Sequence, residues 1–225
     1  MKPSFKELNN FFLEEQGARL ALYMKNAMNP IFSSFKGERL LQLGIEEHQA
    51  WLADINIEKK IVCLPYKGKN KASVISSLYE LPFETASIDV VFCPFTLNLL
   101  HHKLSFLSEL DRVLTHNGHL VFCGINPCSW WGINYLRGYA PHMYELVNTQ
   151  TLRKKLVDLD YIINEVSHFT YWPPFVKSLF MERLYETVGQ MLLPYPTGLY
   201  LLSAKKNVYK PIISKPRIIF ANSYN

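Results

Sequence analysis

Apolar residues recur at helical spacing from the start of the chain. Phe5, Leu8 and Phe12 are followed by Leu20, Tyr23, Met24, Ala27 and Met28, at offsets of three, four, seven and eight. This spacing predicts one or two amphipathic helices stopping before Pro30, because the residue preceding a proline disfavours helical backbone. Short, continuously apolar runs then predict strands at Arg39 to Leu43, Lys60 to Leu64, Ala72 to Ser76 and Ile88 to Pro94. Strands without alternation are those buried on both faces. Leu107, Leu110 and Leu114 share one face of a helix predicted over Ser105 to Thr115. Asn117-Gly118 predicts a turn and His119 to Gly124 a further strand. A helix is predicted over Thr149 to Leu159, with Asn148 as its cap. Two closing strands are predicted at Tyr161 to His168 and Leu199 to Lys205, and between them Phe175, Val176, Leu179, Phe180 and Leu184 read as a helical stripe. Strands alternating with helices imply an α/β fold with a doubly wound, mostly parallel sheet, whose ligands bind at the carboxyl ends of the strands.

Composition narrows this picture. The 225 residues are 48% hydrophobic and 19% charged, which suits one globular domain. No repeat or low-complexity linker divides the chain. We therefore expect a single domain over residues 1–204, with a helical cap over 1–35, an α/β core over 36–204, and a basic tail over 205–225. With no apolar leader and no uninterrupted apolar run of about 18 residues, neither secretion nor a transmembrane segment is expected, and the location is read as cytoplasmic. Cys63, Cys93, Cys123 and Cys128 form no Cys-x-x-Cys pair, and the first three lie in strand-like runs. They read as buried free thiols of a reducing compartment, and no metal site is expected. The net charge of +5 is localised: Lys205, Lys206, Lys210, Lys215 and Arg217 equal the whole excess, and no acidic residue follows Glu186. A neutral body with a short basic tail argues against nucleic acid as a partner. Oligomeric state is not legible.

Several segments then resemble a known family. Leu81-Pro82-Phe83-Glu84-Thr85-Ala86-Ser87-Ile88-Asp89-Val90-Val91-Phe92 is similar to an L-P-F-x-x-x-S-F-D-x-V segment, and Thr96-Leu97-Asn98-Leu99-Leu100-His101 to x-x-L-x-x-x-H. Glu109-Leu110-Asp111-Arg112-Val113-Leu114 and Asn117-Gly118-His119-Leu120-Val121 resemble E-x-x-R-V-L-x-x-G-G-x-L. These are motifs of the type 11 group of class I S-adenosylmethionine-dependent methyltransferases. The resemblance covers roughly Arg39 to Asn126, and implies a seven-stranded Rossmann-like sheet with an antiparallel final hairpin. Asn126-Pro127-Cys128-Ser129-Trp130-Trp131-Gly132 is similar to an N-P-x-S-x-x-G element of a small bacterial subgroup.

The cofactor loop departs from that pattern. Where the family has L-D-x-G-x-G-x-G, this chain has Leu41-Gln42-Leu43-Gly44-Ile45-Glu46-Glu47-His48, so Glu46 and His48 stand at the second and third glycine places. A Cβ there is expected to strain the turn or crowd the ligand. A carboxylate about 4 Å from that of the cofactor would cost about 1 to 4 kcal/mol, depending on the effective dielectric. The acid that ends the second strand, and in the family holds the ribose hydroxyls, is replaced by Pro65, Tyr66 and Lys67. Ser77 stands where an aspartate meets the adenine. The resemblance assigns S-adenosylmethionine, weakened by the altered loop, to Gly44, Glu46, Ser77, Leu78, Tyr79, Pro94 and Phe95, and offers His101 and His142 as candidate bases. The ring-rich stretch from Trp130 to Tyr144, with Tyr171, Trp172 and Phe175, reads either as packing under loops or as an aromatic lid. The expected activity is methyl transfer to a small or lipid-like acceptor. The alternative is a non-catalytic relative that binds a ligand or partner through the same cleft. An RNA methyltransferase using the tail is a weaker third, and the absence of N/D-P-P-Y/F after the fourth strand disfavours methylation of DNA bases.

Overall fold

The computed structural model describes residues 4–35, 37–46, 50–52, 55–68, 74–136, 145–191 and 197–207. Two consecutive helices, α1 (Phe5–Leu13) and α2 (Glu15–Ser33), precede the first strand. The Ser4 side chain caps α1 by accepting from the Lys6 amide. The expected stop before Pro30 is corrected: α2 carries Pro30 within it and continues to Ser33. Ile31 and Phe32 are buried, and the Ser33 and Ser34 hydroxyls donate to the Pro30 and Ile31 carbonyls. Packing and local hydrogen bonds thus hold the turn that proline alone would end.

Among the described residues, seven strands form one sheet in the order β3–β2–β1–β4–β5–β7–β6. They are β1 (Arg39–Leu43), β2 (Lys59–Leu64), β3 (Val74–Ile75), β4 (Ile88–Pro94), β5 (Leu114–Ile125), β6 (Tyr161–Phe169) and β7 (Leu199–Lys206). The first five pair in parallel, and β7 runs antiparallel between β5 and β6. This is the doubly wound sheet that the pattern implies, with the reversed final hairpin that the resemblance implies. One face carries α1 and α2, with Trp51, Phe92, Trp131 and Trp172 in its apolar layer. The other carries α3 (Lys103–Val113) and α5 (Thr149–Asp158), through Phe106, Leu110, Leu152 and Leu156. Cys63, Cys93 and Cys123 are buried in the sheet, whereas Cys128 is exposed.

Four local expectations need correction. The strand expected over Ala72 to Ser76 is seen at Val74–Ile75 and stops before Ser76, while Ala72 and Ser73 lie outside the described residues. Helix α3 ends at Val113 rather than Thr115, because the amides of Ala86 and Ser87 take the carbonyls of Arg112 and Val113 and Leu114 pairs with Ile88. Asn117, at φ 68°, lies inside β5 at a shift of register rather than in a turn between elements. Helix α6 (Leu179–Met191) begins after Phe175 and Val176, and its apolar stripe does not face the core. Strand β7 reaches Lys206, so two of the five terminal cations sit in the sheet. The cap expected of α5 is observed: Asn148 Oδ1 accepts from the Thr151 amide at 2.7 Å.

Candidate functional site

The order of strands switches direction between β1 and β4, which places a crevice at their carboxyl ends. Gly44 lies there at φ 89°, and a Cβ on it would come 2.5 Å from Phe5 Cε1 of α1. Both its backbone and its surroundings require glycine. The Gly44 amide donates to the Cys63 carbonyl at 2.9 Å, and Thr96 Oγ1 donates to the Leu43 carbonyl at 2.9 Å. The loop is therefore pinned from β2 on one side and from the segment after β4 on the other. Gln42, buried inside β1, donates from Nε2 to the Ile45 carbonyl at 2.8 Å and accepts from Trp51 Nε1 at 2.9 Å. A buried side chain thus fixes a turn that the family pattern forms with further glycines. The strain expected at Glu46 is absent: its backbone is not among those of positive φ.

Glu46 is only 5% exposed. Its amide donates to Asn9 Oδ1 at 2.9 Å, and its Oε1 accepts from the Tyr66 hydroxyl at 3.3 Å. Gly68 closes over the carboxylate, since a Cβ there would fall 2.8 Å from Oε1. Asn9 Nδ2 donates to the Phe5 carbonyl at 3.0 Å and also meets the Tyr66 oxygen. Burial, and then the charge of Glu46, push the Tyr66 hydroxyl far above its ordinary range, so it remains a donor. One polar cluster thereby joins α1, the loop after β1 and the loop after β2.

The other predicted residues divide. Pro94 ends β4, and Phe95, at φ 56°, turns into the layer under α1 with its ring 5.8 Å from Phe12. Leu78 is buried in the same apolar cluster as Leu43 and Leu97, with Phe5 and Tyr79 packed against it. Ser77 is exposed and accepts from the Tyr79 amide at 3.2 Å, while the Tyr79 hydroxyl accepts from the His102 amide at 3.4 Å. His101 is exposed, its ring 6.5 Å from that of His102. His142, His48 and residues 208–225 of the tail lie outside the described residues.

The family-like motifs turn out to be fasteners around this crevice. Glu109 accepts from the Leu81 amide at 2.6 Å, and Arg112 donates to the Leu81 and Phe83 carbonyls at 3.0 and 2.9 Å. The E-x-x-R pair thus clamps the L-P-F segment that leads into β4. Ser129 Oγ accepts from the Gly132 amide, capping α4 (Trp130–Leu136), and Asn126 Nδ2 reaches the Thr197 carbonyl. Trp131 Nε1 donates to the Trp172 carbonyl at 2.9 Å, and these two rings are buried as the packing reading has it, whereas Trp130 and Phe175 are exposed and Tyr139 and Tyr144 lie outside the described residues. Asn9, Gln42 and Thr96 escape the sequence reading. Their available signal is a polar residue amid apolar ones: Asn9 beside Leu8 and Phe12, Gln42 within Arg39–Leu43.

Comparison with known proteins agrees with this architecture. Residues 38–122 match the family model described as a methyltransferase domain. A possible histamine N-methyltransferase from Thermotoga maritima superposes over 90% of this chain and all of its own, with a TM-score of 0.64 and 13% identity. Geranyl diphosphate C-methyltransferase from Streptomyces coelicolor covers 84% of this chain and 80% of its own, with a TM-score of 0.61 and 12% identity. An uncharacterised protein of Escherichia coli K12, YafS, is 30% identical over 152 residues, or 64% of this chain. That alignment spans 60% of the relative's length. The chain therefore contains a segment similar to a methyltransferase domain and has the class I S-adenosylmethionine-dependent methyltransferase fold.

Proposed function

We propose that this protein is an S-adenosylmethionine-dependent methyltransferase whose ribose-binding carboxylate has moved from the end of β2 to Glu46. The supporting observation is the contact between Glu46 and Tyr66, one of the three residues, Pro65, Tyr66 and Lys67, that replace the family's β2 acid. The carboxylate lies one hydroxyl away from that place. The residues fit the cofactor at this crevice: Gly44 offers a backbone without a Cβ, and Glu46 is a buried acceptor held by Asn9 and Tyr66. Gly44 would face the methionine portion, Leu78, Tyr79 and Ser77 the adenine side, and Pro94 and Phe95 the wall between them. Bound there, the cofactor supplies an electrophilic methyl group. His101 and His142 are the candidate bases, and a small or lipid-like molecule the acceptor. The expected domain boundary at residue 204 moves to the end of β7 at Lys206, and the residues up to there act as one cytoplasmic domain followed by a basic segment.

The test is calorimetry and thermal melting with S-adenosylmethionine and S-adenosylhomocysteine. Ligand at a hundredfold over Kd raises Tm by about 5–10 °C in a domain of this size. Glu46→Gln weakens the wild-type affinity about tenfold or more, because a ribose hydroxyl loses a charged acceptor. Wild-type binding with an unchanged Glu46→Gln affinity refutes the relocated carboxylate. Absence of binding at millimolar ligand favours the non-catalytic alternative, which the seating of Phe5 on Gly44 also supports. In that case Phe5→Ala should restore cofactor binding.

A further inference from the structure

Helix α6 is amphipathic the wrong way round for a helix packed on a core. Its inward positions, Glu182, Tyr185, Glu186 and Gly189, recur at offsets of three, four and seven, and Glu182 is 1% exposed. Glu182 pairs with Arg19 of α2, Nε to Oε1 at 2.8 Å, and Glu186 accepts from the Tyr171 amide at 2.7 Å. Polar bonds therefore anchor the inner side. The outward stripe is apolar: Phe180 is 74% exposed and Met191 79%, with Leu184 and Val188 exposed between them. Leu179 and Phe175 extend it towards Trp130, whose ring meets that of Phe175 at 6.2 Å. Several large apolar side chains on one exposed face mark an interaction surface rather than ordinary scatter.

Charge decides the occupant. Over residues 170–191 both acids are turned inward, whereas Lys177 and Arg183 are exposed beside the stripe. Glu15, which approaches from α2, is taken by Arg19 at 2.8 Å. Two copies meeting on this face would bring cations together, and a purely apolar partner would leave them without counter-charge. A Phe/Leu/Met stripe flanked by Lys and Arg suits the headgroup boundary of an anionic bilayer. Among the described residues no helix is long and apolar enough to cross a membrane, so the contact is one of lying on the surface. We propose that this face, built from α6, Phe175 and Trp130, docks the protein on anionic lipid membranes. The proposal goes beyond methyl transfer and does not depend on it.

The experiment is co-sedimentation of the full chain with phosphatidylcholine vesicles, with and without phosphatidylglycerol, alongside sedimentation velocity without lipid. The wild type should bind the phosphatidylglycerol vesicles, more weakly as salt rises. Phe180→Ser/Met191→Ser, at exposed positions that leave the fold intact by circular dichroism and melting, should lose about tenfold or more of that binding. Lys177→Glu/Arg183→Glu should abolish the preference for anionic lipid. Three results overturn the proposal: no wild-type binding to phosphatidylglycerol vesicles; equal binding by the serine variant, which would place the contact elsewhere; or a lipid-free wild-type dimer that the serine variant dissociates.

Discussion

Gly44 carries two demands at once, a left-handed backbone and no room for a Cβ beside Phe5. They can be separated. Gly44→Ala should destabilise the fold by about 1–3 kcal/mol, read from urea midpoints. Adding Phe5→Ala to that variant should recover the steric part and leave the conformational part, after allowing for the cost of Phe5→Ala alone. Full recovery would show that φ 89° costs alanine nothing here. Glu46 shows why the strain expected at the neighbouring glycine place does not arise. From the sequence, a Cβ at that place predicts strain, but Gln42, Asn9 and Tyr66 provide the bonds that shape the turn. Two of these partners are remote in sequence, and no local pattern connects Asn9 with Tyr66 across 57 positions.

At the scale of elements, the clamp between α3 and the L-P-F segment has a defined response to acid. Hydrogen bonds from Arg112 hold the Glu109 carboxyl below its ordinary value. A carboxylate with a folded pKa below its unfolded value of about 4.3 contributes full stability above that pH. The contribution is then lost as the pH falls through the folded value. Arg112→Ala should lower the neutral-pH stability by about 1.5–3 kcal/mol, the worth of hydrogen bonds to a charged group. It should also flatten the loss of stability on acidification below the unfolded value. A wild-type slope retained in the variant would show that Arg112 does not control this titration. Elements whose burial matches a simple pattern were read well: β4, buried on both faces, lies where its unbroken apolar run puts it, and α5 where its periodicity and the Asn148 cap put it. Helix α6 was misread because hydrophobic spacing locates an apolar face without saying what that face meets. Its body-facing side is held by Arg19 and Tyr171, which only the fold brings near.

For the whole molecule, the alternation of strands and helices made the mostly parallel sheet legible and the family resemblance supplied its reversed hairpin, while the crevice was legible only in outline. Gly44, Pro94 and Phe95 could be placed from the strand ends, but α1 covers them with side chains whose role emerges only from packing. The thiols carry a practical consequence of the same burial. Burial pushes Cys63 up to about 11, and holds Cys93 and Cys123 well above the ordinary thiol range, so little thiolate forms at neutral pH. Cys128 is exposed, two positions before Trp130. A maleimide dye should therefore attach once per native chain, and a Cys128→Ser variant should stay unlabelled until unfolded. Mass spectrometry would reveal any second adduct that contradicts this. The native sequence thus contains its own single attachment point for a fluorophore, beside the face whose environment one would wish to watch.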